Sequence, residues 1–521
     1  MRSNRKGWNL FLAVTVCAFL VPSGLRGQEK EAKPAEKPAE QGAPAPPKEE
    51  SSVTDHTIKI NGQTIPYKAT AQTILLKNDK GEPEALLYST AYTRSDVKDS
   101  STRPLAFLYN GGPGSSSIWL HMGSFSPKRV VTVNAGITPP APYKLEDNTD
   151  CLLDKADLVF VDPIGTGFSH AVGKSQDKEF WGVDSDVKSL AQFINIYVTR
   201  NNRWNSPKFL IGESYGTFRS AALSFYLLDH DNLYLNGIVL VSSVLDLGTI
   251  SFYPGQDGTY ISYLPSYAAT AWYHKVLKDR PENLAGFLEE ARKFTATEYA
   301  SALAKGDGLS ASQKADIASK VARFTGLDSD YLVKANLRVN LPQFMQELQR
   351  SRGLTTGRLD ARFSGPTFDP IGEYAQYDPQ EAAISGAFVA VFNSYVREDL
   401  KFGQDKTYQV SANFDGAQWD WKHRGADDFG FPGSPNVVND LRAAMLVNPH
   451  MQIEVENGIF DLATPFFATE QTMNHLGLPE NIRKNIHLQY YDAGHMMYVR
   501  DEDRAKLKAN VAAFIDSASK P

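Results

Sequence analysis

The sequence predicts an α/β fold: a mostly parallel sheet with helices on both faces, interrupted by a mainly helical insertion. Three observations carry this reading. Short apolar runs alternate with stretches of helical period through the first half of the chain and again near its end, as crossover connections between parallel strands require. The interior runs are apolar throughout, as in strands covered on both faces. Between them, from about Asp246 to Pro435, the alternation gives way to helical segments.

The first strand signals are Thr57–Ile60, Thr64–Ala69 and Ala85–Tyr92, punctuated by Asn61-Gly62 and Lys80-Gly81. Pro66 predicts that the second of these lies at an edge, because proline cannot donate to a ladder. Pro104–Tyr109 and Leu158–Val161 read as covered strands. From Glu179 to Trp204 a helical stripe runs through Phe180, Val183, Val187, Leu190, Phe193, Ile194 and Tyr197. Strands at Phe209–Ile211 and Ile238–Val241 then flank a helix at Thr217–Leu228. In the insertion, Leu284–Phe294, Ser312–Phe324 and Leu341–Leu348 are the clearest helices. The alternation resumes with a helix at Val437–Leu446, strands at Gln452–Val455 and His487–Tyr491, and a helix at Asp503–Ile515.

The N-terminus is expected to be a targeting segment. Arg2, Arg5 and Lys6 precede an apolar run from Trp8 to Val21, too short for a spanning helix of about 20 residues, and Pro22, Ser23 and Gly24 follow it. Residues 1–27 therefore read as a cleaved signal peptide, which implies a secreted or periplasmic protein with no stable membrane insertion after cleavage. Residues 28–52, dominated by Pro, Ala, Glu and Lys, read as a disordered linker. The catalytic domain would then span 53–521, with a helical cap at about 246–435. Removal of Cys17 with the leader leaves Cys151 as the only cysteine, so no intrachain disulfide is expected. A formal net charge of −6 without a basic stripe argues against nucleic acid as a partner.

The sharpest chemical signal is Gly212-Glu213-Ser214-Tyr215-Gly216, between a strand and a helix. A nucleophile elbow needs small residues around the serine because strand and helix backbones approach closely at a strained turn. The context predicts an α/β-hydrolase fold with Ser214 as nucleophile. Its acid and base must follow in that order. Asp461 and His495 do so, each in a loop just past a predicted strand, where ligands bind in a parallel sheet. His495 would relay the proton of Ser214, and Asp461 would fix the imidazole tautomer. One oxyanion donor would be the Tyr215 N–H. The other would come from the glycine-rich loop Asn110-Gly111-Gly112-Pro113-Gly114-Ser115-Ser116-Ser117, which has neither a P-loop lysine nor dinucleotide spacing.

That loop, together with Asp162-Pro163-Ile164-Gly165-Thr166-Gly167-Phe168-Ser169, the elbow, Asp461 and Gly494-His495-Met496, resembles the serine carboxypeptidases of the carboxypeptidase Y type in identity, order and spacing. The resemblance implies release of C-terminal residues from peptides with a free C-terminus through an acyl-enzyme on Ser214. It further implies an oxyanion hole of Gly112 and Tyr215, and binding of the substrate carboxylate by Asn110, Gly111 and Glu213. Three positions depart from the family pattern: Leu108 for a tryptophan, Ser115 for a cysteine, and Ser124 where a second glutamate is usual. Ser124 is therefore expected in the carboxylate site as a donor at any pH, which would extend activity toward neutrality.

His121 and His170 border these motifs and either line the site or have a packing or surface role. Trp419, Trp421 and His423 either reach the cleft or staple the insertion to the core. No His-Glu-x-x-His or Cys/His cluster occurs, so neither metal nor other cofactor is implied. The competing readings are an esterase or acyltransferase on the same triad, and a non-catalytic binding protein on the same fold.

Overall fold

A computed structural model describes residues 47–414, 418–426 and 434–520; the expected leader, and the expected linker up to residue 46, lie outside the described residues. Three antiparallel strands begin the sheet: β1 (Ser51–Ile60), β2 (Gln63–Lys77) and β3 (Pro83–Arg94). Asn61 and Gly62 join the first two with φ of 49° and 80°, the left-handed pair that a two-residue hairpin demands. The parallel part comprises β4 (Leu105–Tyr109), β5 (Asp157–Val161), β6 (Lys208–Glu213), β7 (Gly237–Val241), β8 (Gln452–Gly458) and β9 (Ile486–Tyr491). The spatial order is β1-β2-β3-β5-β4-β6-β7-β8-β9, with His170–Ala171 added against β3. The mostly parallel sheet of the sequence reading is thus present.

The two faces of this sheet are both core. In β4, Leu105, Phe107 and Tyr109 join one apolar cluster while Ala106 and Leu108 join the other, which is why the strand reads as an unbroken apolar run. Helix α1 (Val183–Arg200) lays Val187, Leu190, Phe193, Ile194 and Tyr197 on one face, and α2 (Tyr215–Asp231) lies beside it. Phe180 belongs to a preceding 3₁₀ turn, Asp177–Phe180, closed by a Gln176/Glu179 capping box; the extended backbone of Gly182 then separates it from α1.

The insertion starts with α3 (Asp257–Tyr273). With Leu284–Phe294, Ala311–Thr325 and Leu341–Glu347 it builds a third apolar cluster that also takes in Phe460 from the loop after β8 and Phe466 at the start of the helix that follows. Its last long helix, α4 (Pro379–Glu398), instead buries Phe388, Phe392 and Tyr395 in the core of the sheet. Beyond it, α5 (Val438–Val447) packs against α2, and α6 (Asp501–Ala518) covers the opposite face with Phe514 and Ile515.

Two expectations are corrected. Pro66 does not mark an edge: β2 pairs on both sides and β1 is the edge strand. Proline is tolerated there because β3 ends at Arg94, opposite Tyr67, and the Pro66 carbonyl still accepts the Ser95 N–H at 3.1 Å. Order also begins earlier than the composition suggested. Strand β1 starts at Ser51, and Glu49 before it accepts the Leu75 N–H at 2.7 Å and pairs with Arg200 at 2.9 Å. Contacts so distant in the chain leave no local trace in sequence.

Candidate active site

Ser214 sits between β6 and α2 with φ of 60° and ψ of −129°, a conformation that costs a non-glycine residue about 1–3 kcal/mol. The surroundings enforce it. A Cβ on Gly212 would overlap the Gly216 carbonyl, and one on Gly216 would lie 2.9 Å from the Tyr109 oxygen. The Ser214 N–H donates to Val241 at 3.0 Å, and its carbonyl accepts from Thr217 Oγ1 at 2.7 Å. The helix starts at the next residue, so its positive end and the Tyr215 N–H face Ser214's side of the turn.

Asp461 and His495 follow β8 and β9 and are both buried. The imidazole Nδ1–H donates to Asp461 Oδ2 at 2.8 Å. That carboxylate is held by the N–H groups of Ala463 and Thr464 at 2.7 and 2.9 Å and by Thr464 Oγ1 at 2.7 Å. Burial works against the imidazolium, but Asp461 and then Glu213 outweigh it, holding His495 above the ordinary histidine range. Among the described residues, no hydrogen bond joins Ser214 Oγ to the imidazole. The backbone nevertheless ties the two together: Ser214 is bonded to Val241, and Ser242 Oγ donates to the His495 carbonyl at 2.7 Å. Catalytic hydrogen bonds of this kind commonly tighten only when substrate is bound.

The insertion contributes to this loop, which sequence reasoning did not anticipate. Leu359 O accepts the His495 N–H at 2.6 Å, and Asp360 Oδ2 accepts the Gly494 N–H at 3.1 Å. Asp360 is in turn clamped by Arg362 at 2.6 Å.

The glycine-rich loop runs alongside the elbow. A Cβ on Gly111 would overlap the Tyr215 nitrogen, so the Gly111–Gly112 backbone and the start of α2 are in contact. Three groups brace the loop. Asn110 Oδ1 accepts the Leu120 N–H at 3.0 Å, and Asp162 accepts Ser117 N–H and Oγ–H at 2.8 and 2.7 Å. The fully buried Arg219 donates from Nη1 to the Asn110 carbonyl at 2.7 Å, pairs through Nε with Asp186 at 2.6 Å, and lies 5.1 and 5.2 Å from the Tyr109 and Tyr215 ring centres.

Glu213, directly before Ser214, is buried. Burial, opposed by His495 and by hydrogen bonds, pushes its carboxyl up to about 7. Its partner is not the residue expected. The Ser124 hydroxyl donates to the Leu120 carbonyl at 2.7 Å, the back-bond that a serine makes within a helical turn, and its one proton is therefore committed. Tyr498 instead donates to Glu213 Oε2 at 2.7 Å. Tyr498 was missed because no motif contains it; the available signal was its place three residues past the predicted base.

The remaining candidates lie outside the site, His170 on the surface and the others in packing roles. His121 is buried between Tyr92 and Phe160, at 2.7 Å from the Tyr92 hydroxyl, and burial pushes it down to about 3. His170 contacts its own backbone at Phe168. Trp419 and Trp421 stand edge-on to the Tyr215 ring, and His423 bridges Asp184 and Asp440 at 2.6 and 3.0 Å. Cys151 is buried and unpaired. No group of three or more metal-ligating side chains occurs among the described residues.

A family model described as serine carboxypeptidase matches residues 68–347, more than half of the 521 residues. The chain belongs to the serine carboxypeptidase family. The match includes the glycine-rich loop and the elbow and stops inside the insertion, before Asp461 and His495. Among individual members of the family, Serine carboxypeptidase-like 45 of Arabidopsis thaliana is 26% identical over 184 residues, 33% of this chain and 36% of that protein. Pheromone-processing carboxypeptidase KEX1 of Saccharomyces cerevisiae is 29% identical over 189 residues, 33% of this chain and 24% of that protein. The chain thus aligns with about a third or less of the length of these relatives. A crystal structure of KEX1(delta)P, a prohormone-processing carboxypeptidase from Saccharomyces cerevisiae, superposes with a TM-score of 0.55 at 17% identity over 87% of this chain and 91% of that one, which shows that the serine carboxypeptidase fold extends through both halves.

Proposed function

We propose that the protein is a serine-type carboxypeptidase that releases C-terminal residues from peptides. The observation that carries this is the buried Asp461–His495 pair beside a strained Ser214, with a second buried carboxyl, Glu213, directly before the nucleophile. Ser214 Oγ attacks the scissile carbonyl carbon while His495 Nε2 takes its proton, and Asp461 stabilises the resulting imidazolium. The Gly112 and Tyr215 N–H groups receive the oxyanion. As the C–N bond breaks, the imidazolium returns the proton to the leaving amine, and water then resolves the acyl-enzyme by the same relay. Asn110, the Gly111 N–H and a protonated Glu213 hold the free carboxylate of the departing residue. A Glu213 carboxyl held near about 7 favours activity that reaches toward neutral pH.

Residues 1–27 fit a cleaved leader and a secreted or periplasmic location. N-terminal sequencing of the mature protein tests this, and an intact N-terminus would reject it. No helix among the described residues is long and apolar enough to cross a membrane.

The test of the reaction is digestion of a peptide library by the wild type and Ser214→Ala, followed by mass spectrometry. Stepwise loss of C-terminal residues, abolished by the substitution and by C-terminal amidation, is the expected result. Trimming that ignores amidation, or ester cleavage without trimming, would favour the esterase or acyltransferase reading. Failure of an organophosphonate to label Ser214 would leave only a binding role.

A further inference from the structure

Glu213 and Tyr498 form a buried carboxyl–phenol pair on the floor of the site. Tyr498 reaches it from the short turn Met497–Val499, directly after the His495 loop. The phenol ring is held from the other side by the turn His121–Phe125, where a Cβ on Gly123 would overlap it. This packing and the bond to Glu213 Oε2 hold the Tyr498 hydroxyl in place. The Asn110 amide favours the ionised form of both members of the pair.

Resting on the carboxypeptidase reading of this site, we propose that Tyr498 is the positioning residue of its carboxylate pocket, orienting Glu213 and setting the pH above which a free C-terminus is no longer bound. An ionised Glu213 has no proton to donate to a substrate carboxylate and repels it, so only the protonated form binds. A phenol donating to Oε2 favours the anion and lowers the pH at which that form is lost. The other groups facing Glu213 are His495, which also favours its anion, Asp461, which opposes it, and the Asn110 amide. Arg358 acts on His495. His121, in the turn behind Tyr498, is kept neutral by burial. Tyr498 is the ionisable member of this group that donates to Glu213 without belonging to the Ser214–His495–Asp461 relay, and it reaches that relay only through Glu213.

The experiment measures kcat/KM against pH for a blocked dipeptide with a free C-terminus, and in parallel for p-nitrophenyl acetate, which has no carboxylate and reports on the relay. Tyr498→Phe should raise the alkaline limb of the peptide profile by about one pH unit, as loss of a hydrogen bond to a charged group implies. The ester profile, which feels Glu213 only through its charge on His495, should move much less. Site-specific replacement of Tyr498 by 3-fluorotyrosine, a stronger donor, should lower the peptide limb, an opposite shift that loosened packing does not produce. In a Glu213→Gln background, Tyr498→Phe should no longer move the limb. A peptide limb at the same pH in all Tyr498 variants, or equal shifts for both substrates, overturns the inference and leaves the carboxypeptidase reading intact. Absence of peptide hydrolysis by the wild type at every pH overturns both.

Discussion

Replacing Arg219 by methionine tests whether one buried cation holds the glycine-rich loop in its working position. The guanidinium is fully buried, bonded to Asp186 at 2.6 Å and to the Asn110 carbonyl at 2.7 Å, between the rings of Tyr109 and Tyr215. Methionine refills most of the volume but leaves Asp186 without a counter-charge, and breaking a buried pair from one side costs about 3–5 kcal/mol. The Asn110 carbonyl also loses a charged donor, worth about 1.5–3 kcal/mol by itself. Because both losses fall on one group they do not add in full, and about 4–5 kcal/mol is the expected total. Burial already holds Asp186 above its ordinary pKa, more strongly than Arg219 lowers it. A group whose folded pKa is raised contributes stability that is lost as pH rises through that value, so the variant should be least stable relative to wild type at high pH. Urea unfolding at several pH values measures this. The second consequence is chemical: once Asn110 shifts, the Gly112 N–H misses the oxyanion, and kcat should fall by about 10²–10³. The double variant Arg219→Met/Asp186→Leu removes both charges and should recover most of the stability while kcat stays low. A stability loss under about 1 kcal/mol, or recovery of kcat in the double variant, would refute the assigned role.

Other substitutions probe neighbouring parts of the site. Asp461→Asn keeps its size but supports the wrong imidazole tautomer; steady-state kinetics should show kcat lower by about 10⁴, with KM little changed. Gly111→Ala drives a methyl group into the Tyr215 backbone, so the protein should fold with the loop displaced and lose more than about 10²-fold in kcat; wild-type rates would contradict the packing. His423 is pushed up to about 9, its burial outweighed by Asp184 and Asp440. Its contribution to stability is complete below the unfolded histidine value and disappears as pH rises through about 9. Melting temperatures between pH 6 and 10 should therefore fall more steeply for wild type than for His423→Ala, and parallel curves would count against the bridge.

What was readable in the sequence was local. The elbow is legible because its chemistry forces small residues at two fixed positions, and the structure shows why: the flanking backbones leave no room for a Cβ on Gly212 or Gly216. The pairing of Asp461 with His495 was legible through chain order and their places after strands, even though the insertion separates them from Ser214. Stretches whose apolar period survives intact, such as Leu284–Phe294, were bounded correctly. Phe180 fits the helical stripe yet stands in a separate turn, because the extended Gly182 breaks the helix without disturbing the spacing of apolar residues.

The support around the relay was not legible, and the reason is physical. Asp360, Leu359 and Tyr498 act through single hydrogen bonds across large sequence separations, and one donor or acceptor imposes no pattern on its neighbours. Ser124 shows the same limit from the other side. Its identity suggested a donor for the pocket, but a hydroxyl in a helical turn has a carbonyl four residues back within reach, and that local partner takes the proton. With Ser124 committed elsewhere, the partner of Glu213 comes from the loop that carries the base. In the proposed reaction, residues 495 and 498 would supply the proton acceptor and the donor that orients the carboxylate pocket. The insertion's grip on the Gly494 and His495 N–H groups then fixes both at once, so a perturbation of Asp360 should affect bond cleavage and recognition of a free C-terminus together.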